Sequence, residues 1–185
     1  MVGYDGRVST DTTRETSTGP YGHEVPWLSD DQQRDWRSLV ALLMTLPAAM
    51  DAQLKRDAGL NSFEYHVLAA LSEAPGRTLV LTDLSVLAQG SLSRLSHAVT
   101  RLERSGWVER RSCADRGGRR TEARLTEKGF AKLEQIAPGH VREARRLVVD
   151  VLTPEQLVAL GHAARAITSA TLADAPEVCR DVGGC

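Results

Sequence analysis

Residues 81–126 read LTDLSVLAQGSLSRLSHAVTRLERSGWVERRSCADRGGRRTEARLT, and the fold turns on this stretch. Thr82 can cap a short helix from Asp83 to Ala88. Gln89-Gly90 then forms a turn, with Gly90 suited to a backbone that needs positive φ. A second helix is expected from Ser91 to Ser105. It carries Leu92, Leu95, Val99 and Leu102 on one face and Ser93, Arg94, His97, Arg101 and Arg104 on the other. Gly106 closes it. Trp107–Arg110 is strand-like, Ala114–Arg120 is a loop rich in Arg and Gly, and Thr121–Leu125 alternates back as a partner strand. Helix, turn, helix, strand, basic loop, strand is the layout of a winged helix-turn-helix.

Charge is segregated in the same stretch. Residues 91–125 hold nine Arg against four acidic side chains, a local net of +5 in a chain of net −1, so the remainder sums to −6. That segregation points to nucleic acid where overall composition does not. A recognition helix packs one face on its neighbours and presents the other to the major groove. Arg94 can donate two hydrogen bonds to guanine O6 and N7. Ser93 and His97 can reach base edges or phosphates, and Ser91, at the helix N-terminus, suits a phosphate. Arg101 and Arg104 lie further along, toward the DNA backbone. Arg116, Arg119 and Arg120, set among Gly117 and Gly118, form a basic loop suited to the adjacent minor groove.

The rest of the chain is mainly helical, so the class is α with a small β component (α+β). Residues 1–26 are polar and expected to be a disordered tail, and residues 173–185 a flexible one. Ser29 and Gln32 stand three apart as a capping box requires. Trp36, Leu39, Val40, Leu43, Leu46, Met50 and Leu54 then repeat at helical spacing, with Pro47 as a kink and Gly59 as the stop. Asn61 and Glu64 form another box, opening a helix that runs to about Ser72, and Pro75-Gly76 breaks it. Residues 77–81 suit a short edge strand. Thr126 caps a helix through Leu133 and Ile136, and Pro138-Gly139 leaves one kinked helix or two. Thr153-Pro154-Glu155-Gln156 is a strong helix start, followed by Leu157, Leu160, Ala164 and Ile167. The two long apolar stripes exceed what a small winged domain can cover, so a partner chain is expected.

Other chemistries are weakly represented. No run of 18 apolar residues suggests a membrane span, and no signal pattern opens the chain, so a cytoplasmic protein is expected. Cys113, Cys179 and Cys185 do not form a disulfide framework, and the five His form no ligand-spaced cluster, so neither metal nor cofactor is expected. No nucleophile–base pair, P-loop or dinucleotide fingerprint suggests an enzyme. Cys113, near Arg110, Arg111 and Arg116, offers a thiol-sensor alternative. His66 could line a ligand pocket or serve as a structural histidine. Trp36 and Tyr65 are expected in the core.

Three segments, GLNSFEYHVLAALSEAP (59–75), LTDLSVLAQGSLSRLSHAVTRLERSGWVERRSC (81–113) and LTEKG (125–129), resemble the MarR family of bacterial transcription regulators, colinearly over residues 27–172. The resemblance implies a winged helix-turn-helix over about 61–126 and dimerisation helices over about 27–58 and 127–172. It implies a homodimer on a pseudo-palindromic operator in double-stranded DNA, usually repressing, and released by a small aromatic or phenolic ligand. The family's DNA-contacting positions fall on Ser91, Ser93, Arg94, His97 and Arg101, and in the wing on an Arg best matched by Arg119. The family wing usually has Asp two residues before that Arg. Here Gly117 stands there and Asp115 lies four before, which leaves Arg116, Arg119 and Arg120 open as the inserted residue. Redox-sensing members place their cysteine in the N-terminal helical region, where this chain has none. A winged helix kept as a protein-interaction module is the other alternative.

Overall fold

A computed structural model describes residues 25–115 and 118–173, with backbone alone for 113–115, 118, 119, 172 and 173. The expectations for the two tails and for Arg116 lie outside the described residues.

Local capping chemistry sets most helix starts. α1 (Asp30–Ala58) opens where Ser29 N–H donates to Gln32 Oε1 at 2.9 Å and Gln32 N–H donates to Ser29 Oγ at 3.3 Å. It runs unbroken through Pro47 and stops at Gly59, whose φ is +70°. α2 (Ser62–Glu73) has the full Asn61–Glu64 box, both bonds 2.9 Å long. A 3₁₀ turn (Pro75–Arg77) leads to β1 (Thr78–Val80). α3 (Leu81–Leu87) corrects the expected start: Val80 is the cap residue and no side chain caps it. Thr82 lies inside the helix and its hydroxyl donates to Asp83 Oδ1 at 3.2 Å.

α4 (Leu92–Arg104) is capped by Ser91, whose Oγ accepts from Arg94 N–H at 3.2 Å. β2 (Val108–Asp115) and β3 (Gly118–Leu125) pair antiparallel from Val108↔Leu125 out to Asp115↔Gly118, and β3 also pairs with β1, giving the order β1-β3-β2. This shortens the loop expected over Ala114–Arg120. Residues 114–120 show no apolar alternation, so the sequence carries no signal of a strand there. α5 (Glu127–Ala144), capped by Thr126, passes Pro138 and continues into a π turn (Arg145–Val149), so the interrupted pattern is one helix. α6 (Pro154–Ala173) starts at a reciprocal Thr153–Gln156 box.

The chain divides between Leu42 and Leu43, within α1. In the first unit Trp36 is 54 % exposed, which corrects its placement in the core. The second unit contains the core: Leu54 of α1, Leu68 and Leu71 of α2, Leu84 of α3, Leu95 and Leu102 of α4, Val108 and Leu125 of the sheet, and Leu133 and Ile136 of α5. Tyr65 is buried with them. No side chain of α6 among the described residues is buried. No helix among the described residues is long and apolar enough to cross a membrane.

Candidate nucleic-acid interface

α4 buries Leu95, Ala98, Val99 and Leu102 and leaves Ser93, Ser96, His97 and Arg104 exposed. Leu92 was expected on the buried stripe but is 51 % exposed. Its spacing is right; it sits in the first turn, where the covering elements no longer reach it. The outward face is therefore polar and basic, with one leucine at its N-terminal edge.

The turn before α4 is shaped differently from expectation. Gln89, not Gly90, has positive φ, at 52°. Gly90 is required for another reason: a Cβ there would overlap the ring of Phe63 on α2. The same ring carries the guanidinium of Arg94, 4.2 Å from its centroid. Phe63 thus positions both the entry to α4 and the side chain expected to read a base.

Two more arginines brace the helix. Arg101 Nε donates to Glu64 Oε1 at 2.5 Å, and the buried Glu64 accepts the Asn61 N–H through its other oxygen. One carboxylate thereby caps α2 and holds α4. Arg101 remains more than half exposed, so its terminal N–H groups stay available to a phosphate. On the opposite flank, Arg110 of β2 donates from Nη2 to Ser96 O at 2.7 Å and Thr100 Oγ1 at 3.1 Å, and its Nη1 lies 3.2 Å from Glu103 Oε2. Its backbone N–H donates to Glu103 Oε1 at 3.0 Å. Arg110 is absent from the residues singled out by sequence. A signal was present: strand alternation turns it inward beside Val108, where an arginine must find acceptors. Arg110 is a positioning residue that ties the root of the wing to the middle of the recognition helix.

The wing is defined by backbone register. Arg120 pairs with Cys113 and Arg119 with Ala114 across the ladder, and Arg120 is exposed. The side chains of Arg119 and Cys113, and all of Arg116, lie outside the described residues. Ser91, Ser93, Arg94, His97 and Arg101 are brought together on one helix, with the β2–β3 ladder joined to its flank by Arg110. Hydroxyls, an imidazole and arginines along a groove-sized cylinder suit a duplex with bases read from the helix and phosphates held beside it.

No family model matches the chain, and no curated protein matches it. Solved structures do. The chain is 42 % identical to Sco3205, a MarR family transcriptional regulator from Streptomyces coelicolor crystallised in complex with DNA, over 78 % of this chain and 94 % of that one, with a TM-score of 0.75. It is 34 % identical to AbsC, a MarR family transcriptional regulator from the same organism, over 81 % of this chain and 100 % of that one, again with a TM-score of 0.75. A likeness of fold alone extends to NadR in complex with 4-hydroxyphenylacetate, at 23 % identity over 77 % of this chain and 97 % of that one, with a TM-score of 0.57.

Proposed function

The chain belongs to the MarR family of transcriptional regulators, and from that membership we propose that it is a homodimeric, sequence-specific DNA-binding regulator, repressing from a pseudo-palindromic operator and released by a small molecule. The observation that carries this reading is the outward face of α4, polar and basic, braced by Arg101–Glu64 on one flank and by Arg110 on the other. A helix that only completed a core would not need charged braces on both sides of an exposed face. The DNA complex of the 42 % identical Sco3205 supports it.

Arg94 reads a base edge once it leaves or slides on Phe63. Ser93 and His97 add base or phosphate contacts, and Ser91 and Arg101 hold backbone. The wing arginines 116, 119 and 120 enter or flank the minor groove. The winged module is residues 61–126. The dimer uses α1 and α5–α6, whose exposed Met44, Val158, Leu160 and Ile167 need cover. A twofold axis then sets two recognition helices roughly 34–36 Å apart, one turn of duplex. Such a regulator works in the cytoplasm without catalysing a reaction.

The test is a fluorescence-anisotropy titration of the full chain against duplex from upstream of its own gene, with random duplex as competitor, at two salt concentrations. Specific binding with a steep salt dependence is expected. Sequence-blind binding to that duplex and to a selected random library would refute the regulator and leave an interaction module.

A further inference from the structure

A groove of about 510 Å³ lies between the C-terminal half of α2, β1 and the end of α3, lined by His66, Ala70, Glu73, Leu79, Leu87 and Gln89 with small residues between them. Its size falls in the range of small-molecule sites, roughly 300–1,000 Å³. The space exists because Ala70, Ala74 and Ala88 stand where larger side chains would fill it. Leu87 on its rim is 60 % exposed, apolar surface left to water.

Two polar groups mark its ends. Glu73 has no ion-pair or hydrogen-bond partner among the described residues, and no Lys or Arg lines the groove. His66 lies seven residues earlier on α2, two turns away on the same face, roughly 10 Å along the axis. Partial desolvation holds the His66 imidazole below the ordinary histidine range, so at neutral pH it offers a hydrogen bond without cancelling the carboxylate. Among the residues that line the groove, the Glu73 carboxylate is the one charged group, set against a largely apolar wall.

The groove is also framed by turns rather than by regular ladders. Gly76 and Arg77 at one end have φ of 60° and 54°, and Gln89 at the other has φ of 52°. Gln89 is the residue that joins α3 to the entry of α4.

We propose that this groove binds a small amphipathic organic cation, an apolar body with an ammonium held by Glu73 and a hydrogen-bonding group, roughly 10 Å away, held by His66. Its occupant presses on the Leu87–Gln89 wall and changes the entry angle of α4, which lowers DNA affinity. This regulatory half rests on the ligand-release reading above; the binding half does not.

Tyramine, with an ammonium and a phenol at opposite ends, is the probe, and 4-hydroxyphenylacetate is its charge-reversed counterpart. Calorimetric titration of the DNA-free full chain is expected to show saturable tyramine binding at least about tenfold tighter than that of 4-hydroxyphenylacetate, the scale of one charge-assisted hydrogen bond. Glu73→Gln should weaken tyramine by about tenfold and Glu73→Lys should abolish binding. Glu73 is exposed, so both variants should melt with the parent, and melting curves check this. No tyramine binding on the order of 1 mM, equal binding by Glu73→Lys, or preference for the anion would overturn the proposal. Titration with operator DNA separates the halves. If DNA binds and tyramine binds but DNA affinity does not fall, the regulatory half is wrong; if no DNA binds at all, the regulator reading fails while calorimetry still judges the groove.

Discussion

Gly90 shows how a residue can be identified correctly for a reason the sequence does not contain. A glycine after a short helix suggests positive φ, yet Gln89 takes that conformation and Gly90 makes room for a ring from residue 63. Contacts across 27 positions leave no trace in local spacing. Gly90→Ala should destabilise the protein by about 1–3 kcal/mol, the cost of overpacking beside a buried ring. Urea unfolding measures it, and Phe63→Leu in the same chain should recover part of the loss, as coupled neighbours do. An unchanged midpoint for Gly90→Ala would mean that Phe63 moves freely. Arg94 was legible as a base reader from its place on the helix, but its seat on Phe63 was not. Arg94→Ala should cost about 1–3 kcal/mol of operator binding and relax one base position. Equal affinity of that variant for every single-base operator substitution, relative to the parent, would assign base reading to Ser93 and His97 instead.

Elements were most legible where a few bonds within one turn define them. Ser29, Asn61, Thr126 and Thr153 each cap a helix by accepting an N–H three residues on, so side-chain spacing alone places the start. α3 has no such cap and its start was misplaced. The strands are legible near Val108 and Leu125 but not at their far ends, where residues 114–120 show no apolar alternation. The brace from β2 to α4 was hidden because Arg110 meets Ser96, Thr100 and Glu103 only after the hairpin folds back. Its removal should loosen two elements at once. Arg110→Ala should cost about 1–3 kcal/mol of stability, as hydrogen bonds to a charged group do. It should also reduce the ratio of operator to random-duplex affinity, because the wing and helix no longer hold a fixed angle. Arg110→Lys should not restore the ratio, since a single ammonium cannot span the same acceptors. Competition anisotropy reads this directly, and a ratio that survives Arg110→Ala would show that the apolar face of α4 orients the helix unaided.

At the scale of the whole molecule, proton uptake links the winged module to the helix that leaves it. Tyr65 of α2 packs on His140 of α5 with ring centroids 4.2 Å apart, and its neighbour His66 stands with its ring 6.0 Å from that of Tyr65. Partial desolvation holds both imidazoles below the ordinary value of about 6.5, and His66 pushes His140 further down. His140 Nδ1 is buried without a hydrogen-bond partner, so a proton there would gain no acceptor. The sign follows. Between the lowered folded pKa and about 6.5 the unfolded chain binds protons that the folded chain refuses, so stability is full above about pH 6.5 and falls as pH drops below it. The carboxylates of Asp51, Asp57 and Glu143 are lowered by their hydrogen bonds to Lys55, Gln53 and Arg146, and their contribution is lost only at more acid pH, through and below the ordinary carboxylate range. A comparison of about pH 7.5 with about pH 5.5 therefore isolates the histidines. Melting temperature should fall across that interval. His140→Phe, which keeps a ring against Tyr65 and removes the titrating nitrogen, should flatten the fall. Melting at several protein concentrations separates this from dimer dissociation, which alone depends on concentration. A fall of equal size in a chain carrying both His66→Phe and His140→Phe, at every concentration, would place the proton-sensitive group outside the α2–α5 contact.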